Sequence, residues 1–101
     1  MSTFYVNSTL EIELKVRRRN GDLYTPTGVR ITVTKPDETS STYTWGIDSA
    51  LEQATDDNDA VIPGTFLFTY TPTLAGRHTY VFETYGDVSS KIKNMFHVER
   101  T

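Results

Sequence analysis

Residues 10–16 have the sequence Leu-Glu-Ile-Glu-Leu-Lys-Val, and this stretch decides the fold class. Every even position carries an aliphatic side chain and every odd position a charged one. Because successive side chains of a β-strand point to opposite faces, the alternation predicts a strand with one dry face and one wet face. Asn20-Gly21-Asp22 then supplies turn chemistry, since these residue types tolerate the backbone conformations of tight turns.

Runs of the same kind continue along the chain. They occur at residues 4–6, 29–34, 42–45, 65–70, 78–84 and 91–98. The Pro36-Asp37 turn joins 29–34 to 42–45, which predicts a hairpin, and Ile92, Phe96 and Val98 are in phase in the last run. About seven short strands separated by turns are typical of an antiparallel sandwich or a small barrel.

The composition agrees with an all-β domain. Thirty residues are Thr, Val or Ile and eleven are Tyr or Phe, whereas Ala contributes four and Leu six. Branched and aromatic side chains favour strands over helices. No run approaches the ~20 apolar residues of a membrane span, and 101 residues predict a single domain over residues 1–101.

Residues 46–63 lose the alternation. Ser49 and Glu52 have the spacing of a capping box, which predicts a helical turn over residues 49–54. The acidic residues Asp56, Asp57 and Asp59 then predict an exposed loop. Carboxylates of this kind bind Ca²⁺ in some loops, but the spacing differs from that of an EF-hand, so a solvated loop is the favoured interpretation.

The charge is divided unevenly along the chain. Residues 1–35 carry six basic residues against three acidic ones, and residues 37–59 carry seven acidic residues and no basic one. The net charge of −3 argues against nucleic-acid binding as the main function. Arg17, Arg18 and Arg19 form the densest basic cluster. Three roles stay open for it: a charged turn that blunts a strand end, a contact with an acidic partner such as the 48–59 segment of a second copy, or a phosphate contact.

Little in the sequence points to catalysis or to a cofactor. Cysteine is absent, and His78 and His97 are the only histidines. Pairing of the last two strands would allow them to be neighbours, yet two imidazoles without a carboxylate on the same face form a poor metal site. No nucleophile elbow or phosphate-binding glycine loop occurs. We therefore expect no catalytic, cofactor-binding or metal-binding residues, and the lack of cysteine and of a signal pattern at residues 1–7 predicts synthesis in the cytosol.

Aromatic residues offer a second binding hypothesis. Those spaced by two along strands are more typical of a sandwich core than of a sugar-stacking platform; they are Phe66, Phe68, Tyr70, Tyr80 and Phe82. Tyr5, Tyr24 and Tyr85 lie nearer to turns, which makes them candidates for exposed contacts.

The segment before residues 78–84 resembles the tyrosine corner of immunoglobulin-like domains. Gly76 matches the corner glycine, His78 occupies the tyrosine position and Tyr80 the cysteine position. The resemblance implies that His78 supplies the hydrogen bond to the backbone. It also implies an immunoglobulin-like antiparallel β-sandwich of about seven strands.

The whole chain resembles the small cysteine-free immunoglobulin-like proteins encoded among the structural genes of tailed bacteriophages. The matching features, in chain order, are residues 10–16, Asn20-Gly21, residues 29–35 with Pro36-Asp37, Gly64-Thr65-Phe66, residues 72–80 and Phe96-His97-Val98. The resemblance implies a non-enzymatic virion protein, located in the virion and assembled in the host cytoplasm. Such a protein serves as a capsid decoration or as a head–tail or tail accessory component.

The resemblance also implies the partners. These are other virion proteins (the major capsid, connector or tail proteins), with a possible homo-oligomer and with neither nucleic acid nor membrane. The contact candidates are Arg17, Arg18, Arg19, Asp56, Asp57, Asp59, Tyr5 and Tyr24, together with the edges of residues 4–6 and 91–98. A carbohydrate- or cell-surface-binding module is the alternative, based on the tyrosine-rich turns, and scattered carboxylates keep an enzyme as a third hypothesis.

Overall fold

The computed structural model describes residues 3–87 and 89–100. The strands in this part of the chain are β1 (Thr3–Tyr5), β2 (Leu10–Lys15), β3 (Gly28–Thr34), β4 (Ser40–Thr44), β5 (Leu51–Thr55), β6 (Val61–Tyr70), β7 (Gly76–Tyr85) and β8 (Ser90–Glu99). Each forms where the sequence alternates or is rich in branched and aromatic residues, with β5 as the exception discussed below.

The strands form two sheets. The larger has the order β1-β8-β7-β3-β4 and the smaller the order β2-β6-β5. Neighbouring strands are antiparallel except for β1 and β8, which are parallel. In the lettering of immunoglobulin domains, β8-β7-β3-β4 corresponds to G-F-C-C′ and β2-β6-β5 to B-E-D. The predicted immunoglobulin-like sandwich is confirmed, with eight strands in the described residues and one parallel pair.

The core lies where the inner faces of the two sheets meet. Leu10 and Leu14 are buried on the inner face of β2, whereas Glu11 and Glu13 are exposed on its outer face, as the alternation predicts. The side chains that are 1% exposed or less include Val29, Ile31, Val33, Leu51, Phe66, Phe68, Phe82 and Val98. Burying one such side chain contributes about 1.5–3 kcal/mol to stability, so this layer holds the two sheets together.

Aromatic contacts fix β4 against the opposite sheet. The predicted hairpin of β3 and β4 is confirmed, and Tyr43 and Trp45 share one face as expected. The ring of Tyr43 lies 5.1 Å from that of Phe68, and the ring of Trp45 lies 5.0 Å from that of Phe66. Edge-to-face and tilted contacts at these distances are favourable, so the hairpin is anchored across the sandwich.

The predicted helical turn at residues 49–54 is wrong. Residues 51–55 form β5, which pairs with β6, and Leu51 lies opposite Phe68. A register shift between Gln53 and Thr55 interrupts the pairing, and Leu51 and Ala54 are both buried three positions apart. Between the paired residues Gln53 and Thr55, β5 advances by two residues and β6 by five, so the extra residues of the irregularity lie in β6. Pairing with β6 overrides the capping-box signal of Ser49.

The last strand is only partly covered. Phe96 and Val98 are buried, but Ile92 is 51% exposed although it has the same phase. Of β8, only His97, Val98 and Glu99 pair with β1. The N-terminal half of β8 therefore extends beyond the layer in which apolar side chains are buried.

Candidate functional site

The three arginines lie on a tight turn after β2. The Val16 N–H donates to the Gly64 carbonyl at 2.7 Å, which fixes the chain as it leaves the strand. A Cβ at Gly64 would lie 2.6 Å from the Val16 carbonyl oxygen, and its φ is +64°. Only glycine therefore allows this crossing without strain. The turn itself is closed by the Gly21 N–H, which donates to the Arg18 carbonyl at 2.9 Å.

Two of the arginine side chains are held in place, one by the backbone of this turn and the other by Tyr24. The Arg17 guanidinium donates to the Gly21 carbonyl at 2.8 Å. The Arg18 guanidinium carbon lies 3.7 Å from the centre of the Tyr24 ring, which is a cation–π contact. Arg19 is exposed on the same turn. Arg17 and Arg18 are therefore oriented by protein contacts before any partner arrives.

Asp87 fixes Tyr24 in turn. The Tyr24 hydroxyl donates to one carboxylate oxygen of Asp87. The other oxygen accepts from the Thr27 N–H at 2.9 Å and from the Thr27 hydroxyl at 2.8 Å. These hydrogen bonds lower the pKa of Asp87 from 3.8 to about 2, and the one from Tyr24 contributes most. They do so because they stabilise the ionised form of the carboxyl group. A chain of contacts thus runs from Thr27 through Asp87 and Tyr24 to Arg18.

Together these side chains line one shallow cavity. Its volume is about 380 Å³, and it is lined by Arg17, Arg18, Arg19, Tyr24 and Asp87. We call these five residues the basic end. Among the ion pairs found in residues 3–87 and 89–100, none involves the three arginines. Their guanidinium groups are therefore available to carboxylates or phosphates, which arginine binds in a bidentate manner.

The acidic loop lies at the same end of the sandwich. β2 and β5 both run to the first part of β6, where Lys15 pairs with Thr65 and Thr55 with Val61. The loop after β5 is closed by Asp56, whose carboxylate accepts from the N–H groups of Asn58 at 2.8 Å and Ala60 at 3.0 Å. Asp56 therefore has a structural role in the turn.

The remaining acidic side chains of this loop, Asp57 and Asp59, are exposed. Within the part of the chain that the structure describes, no group of three or more histidine, aspartate or glutamate side chains is placed to hold a metal ion. A contact between this loop and the arginines of a second copy stays a prediction.

The corner at the start of β7 is buried. His78 is fully buried, its ring stacks on that of Phe96 with 5.0 Å between ring centres, and the Tyr70 ring meets it edge to face with 6.0 Å between centres. Its Nδ1 lies 3.3 Å from the Gly76 carbonyl oxygen, two residues upstream. This pair identifies Nδ1 as the protonated nitrogen, because a carbonyl oxygen only accepts. The Nε2 atom has no hydrogen-bond partner among the described residues, and burial lowers the pKa of His78 below its ordinary value.

The two histidines do not form a joint site. The register pairs His78 with Phe96 and Arg77 with His97. Adjacent residues on a strand point to opposite faces, so His78 faces the core and His97 is exposed. The idea that strand pairing brings the two imidazoles together is therefore wrong.

The aromatic candidates separate into two groups. Phe66, Phe68, Tyr70, Tyr80 and Phe82 are all 8% exposed or less, so they form core and no sugar-stacking platform. Tyr5 is 44% exposed and pairs with Glu99, at the opposite end of β8 from the basic end. Tyr85 is 39% exposed beside Arg30. Of the three tyrosines near turns, Tyr24 alone joins the arginine cluster.

Sequence reasoning missed Asp87 of the basic end and also Thr27, which donates hydrogen bonds to its carboxylate. Thr27 and Asp87 are separated by 60 positions along the chain, and Gly86-Asp87 has only the pattern of a turn.

Comparison with protein-family models, with curated proteins and with solved structures gives no match to this chain. In the described residues no helix has the length and apolar character to cross a membrane.

Proposed function

We propose that this chain is a non-enzymatic structural protein of a tailed-bacteriophage virion that docks onto other virion proteins through its basic end. The observation that carries the docking surface is the contact chain from Thr27 through Asp87 and Tyr24 to Arg18. The full-length resemblance to phage immunoglobulin-like proteins supports the setting. The partner surface in this proposal is acidic, because it must complement the positive charge of three arginines.

An ordered arginine cluster is suited to this role. Docking a flexible side chain costs about 0.5–1.5 kcal/mol in lost freedom, and the contacts of Arg17 and Arg18 remove part of that cost before binding. Individual exposed ion pairs contribute little, on the order of 0–1 kcal/mol each. A repeated shell or tail offers many equivalent sites, so weak contacts of several copies are sufficient for stable decoration.

The first experiment asks whether the chain belongs to virions. Particles of a phage that encodes it are purified and analysed by quantitative mass spectrometry, before and after a wash at 1 M salt. We expect a fixed copy number per particle and a loss of the chain in the wash, because salt screens contacts between exposed charges. Particles without any copy of the chain would refute the proposal.

The second experiment locates the docking surface. Particles from a phage lacking the gene are titrated with the purified chain, and the copies bound are counted. We expect R18A/R19A to bind at least about tenfold more weakly than the unaltered chain. R77A/R100A removes the same charge from exposed positions at the other end of the sandwich and is expected to bind normally. Equal weakening by both variants would mean that only net charge matters.

A further inference from the structure

The outer edge of β8 is open over much of its length. The strand has ten residues, Ser90–Glu99, and β1 pairs only with the last three. Among the described residues no strand pairs with this edge at residues 91–94. Residues 90–95 are all exposed. An unpaired edge is a template for the addition of another strand.

The backbone groups of this edge point outward at odd-numbered residues. The Val6 N–H donates to the Glu99 carbonyl at 3.0 Å, so Glu99 directs its backbone away from β7. Because the direction alternates along an antiparallel strand, Lys91, Lys93 and Met95 do the same. The Met95 N–H is bonded to the Asn94 side chain at 2.8 Å. The outward N–H and C=O groups of Lys91 and Lys93 have no strand opposite them in the described residues.

The side chains around this edge differ between its two faces. Lys91 and Lys93 lie on the outer face, opposite in phase to the buried Phe96. The Lys91 ammonium lies 3.7 Å from Glu83, and none of the ion pairs found in the described residues involves Lys93. Ile92 lies on the inner face and is 51% exposed. The outer face of the edge therefore carries two lysines beside Met95, and the inner face carries Ile92 between the polar Ser90 and Asn94.

We propose that the outer edge of β8 at residues 90–95 binds an extended segment of a partner protein in which acidic residues alternate with apolar ones. Such a segment pairs its backbone with Lys91 and Lys93 in the manner of strand addition. Its acidic side chains lie beside the two lysines, and its apolar side chains cover Ile92. Six residues of strand span roughly 20 Å. The lysines select against basic or neutral strands, because an uncompensated charge at a sheet edge disfavours pairing.

The test uses two synthetic probes. One is a fluorescently labelled seven-residue peptide of alternating Val and Glu, and the other has Lys in place of Glu. Fluorescence anisotropy measures their dissociation constants from the full chain. We expect the Val–Glu peptide to bind at least about tenfold more tightly than the Val–Lys peptide. Equal binding of both peptides, or binding of neither at millimolar protein, would overturn the proposal.

Variants then locate the bound peptide. Lys93→Pro removes an outward N–H while leaving the N–H groups that face β7, and proline is tolerated at such edge positions. We expect it to weaken binding of the Val–Glu peptide at least about tenfold, whereas Lys93→Ala, which keeps the N–H, weakens it less. K91E/K93E leaves the backbone intact and reverses the preference between the two peptides. Unchanged binding by folded Lys93→Pro, or an unchanged preference in K91E/K93E, would overturn the proposal.

Two controls separate this edge from other surfaces. R77A/R100A removes two positive charges from exposed positions outside this edge and is expected to bind the Val–Glu peptide like the unaltered chain. Because the probes are peptides and not particles, a failure of the virion proposal leaves this one standing. Hydrogen exchange without peptide is measured at two protein concentrations. Protection of residues 91–95 that increases with concentration would show a second copy at the edge and would overturn the choice of occupant. We expect no such increase.

Discussion

The two ends of strand β7 hold polar side chains in opposite ways. At the start, His78 is fully buried between aromatic rings, and its Nε2 has no partner in the described residues. Beyond the end, Asp87 is exposed, and both of its carboxylate oxygens accept hydrogen bonds from Tyr24 and Thr27. The first arrangement contributes to packing, whereas the second orders a surface.

This difference separates stability from binding within one strand. Removing a buried ring leaves a cavity and lost contacts, which is expensive in a packed core. Exposed charges contribute little to folding and are accessible to a partner. Substitutions at the corner of Gly76 and His78 should therefore change unfolding, and substitutions at the basic end should change docking.

The largest expected effect is at Phe96, whose ring contacts those of Phe4, Tyr70 and His78. Phe96→Ala is expected to destabilise the fold by about 3–5 kcal/mol, because it removes a buried aromatic ring. Met95→Ala on the same strand is the matched control, with an expected change within about 0.5 kcal/mol. Urea denaturation measures both. Similar values for the two variants would contradict the account of the corner.

The second effect concerns His78 itself. His78→Ala is expected to cost about 1–3 kcal/mol, since it removes the stacked ring and its hydrogen bond to the Gly76 carbonyl. His97→Ala on the exposed face is the control and should be nearly neutral. Thermal denaturation of both variants checks this. An unchanged melting temperature for His78→Ala would mean that the corner does not contribute to stability.

The third effect is a pH dependence that belongs to the corner. Burial lowers the pKa of folded His78 below its ordinary value of 6.5. Below about pH 6.5 the unfolded chain therefore binds a proton that the folded chain does not, so stability falls as the pH falls. The limit for one group is about 1.4 kcal/mol per pH unit. Above pH 7 the group is neutral in both states and contributes no slope.

Denaturation of His78→Phe at pH values from 5 to 8 tests this assignment. The variant keeps an aromatic ring and has no titrating nitrogen, so its stability should vary less between pH 7 and 5 than that of the unaltered chain. A slope that persists unchanged in His78→Phe would contradict the assignment of the pH dependence to the corner.

The smallest expected effect is at the basic end. Tyr24→Phe removes the hydroxyl donor that contributes most to the low pKa of Asp87, so this pKa should rise from about 2 towards 3.8. Carbon-13 NMR titration of the aspartate carboxyl groups measures it, with Tyr5→Phe as the control. A pKa that does not move would mean that Tyr24 and Asp87 are not coupled.

Most of the fold could be predicted from the sequence because strand alternation and turn chemistry are properties of short segments. The alternation of residues 10–16 and the turn chemistry of Asn20-Gly21 are readable without knowing the partners of each strand. The register shift between β5 and β6 is not, since it depends on which residues of β6 lie opposite Gln53 and Thr55. The exposure of Ile92 also depends on whether another part of the chain covers that position, which its phase along β8 does not reveal.

The basic end was predictable only in its charge. Three consecutive arginines are visible in any sequence, but the contacts that order them join Tyr24 to Asp87, which are 63 positions apart. No spacing rule connects such residues. The histidine corner could be placed from Gly76 and His78, because the corner is a local motif, and only the structure shows that one ring nitrogen lacks a partner.

Hydrogen exchange of the chain free and bound to gene-deleted particles tests the central claim most directly. If the basic end docks, residues 17–24 become more slowly exchanging on the particles, and residues 76–80 at the corner exchange as they do in the free chain. Protection confined to other segments, with residues 17–24 unchanged, would contradict the assignment of docking to the basic end.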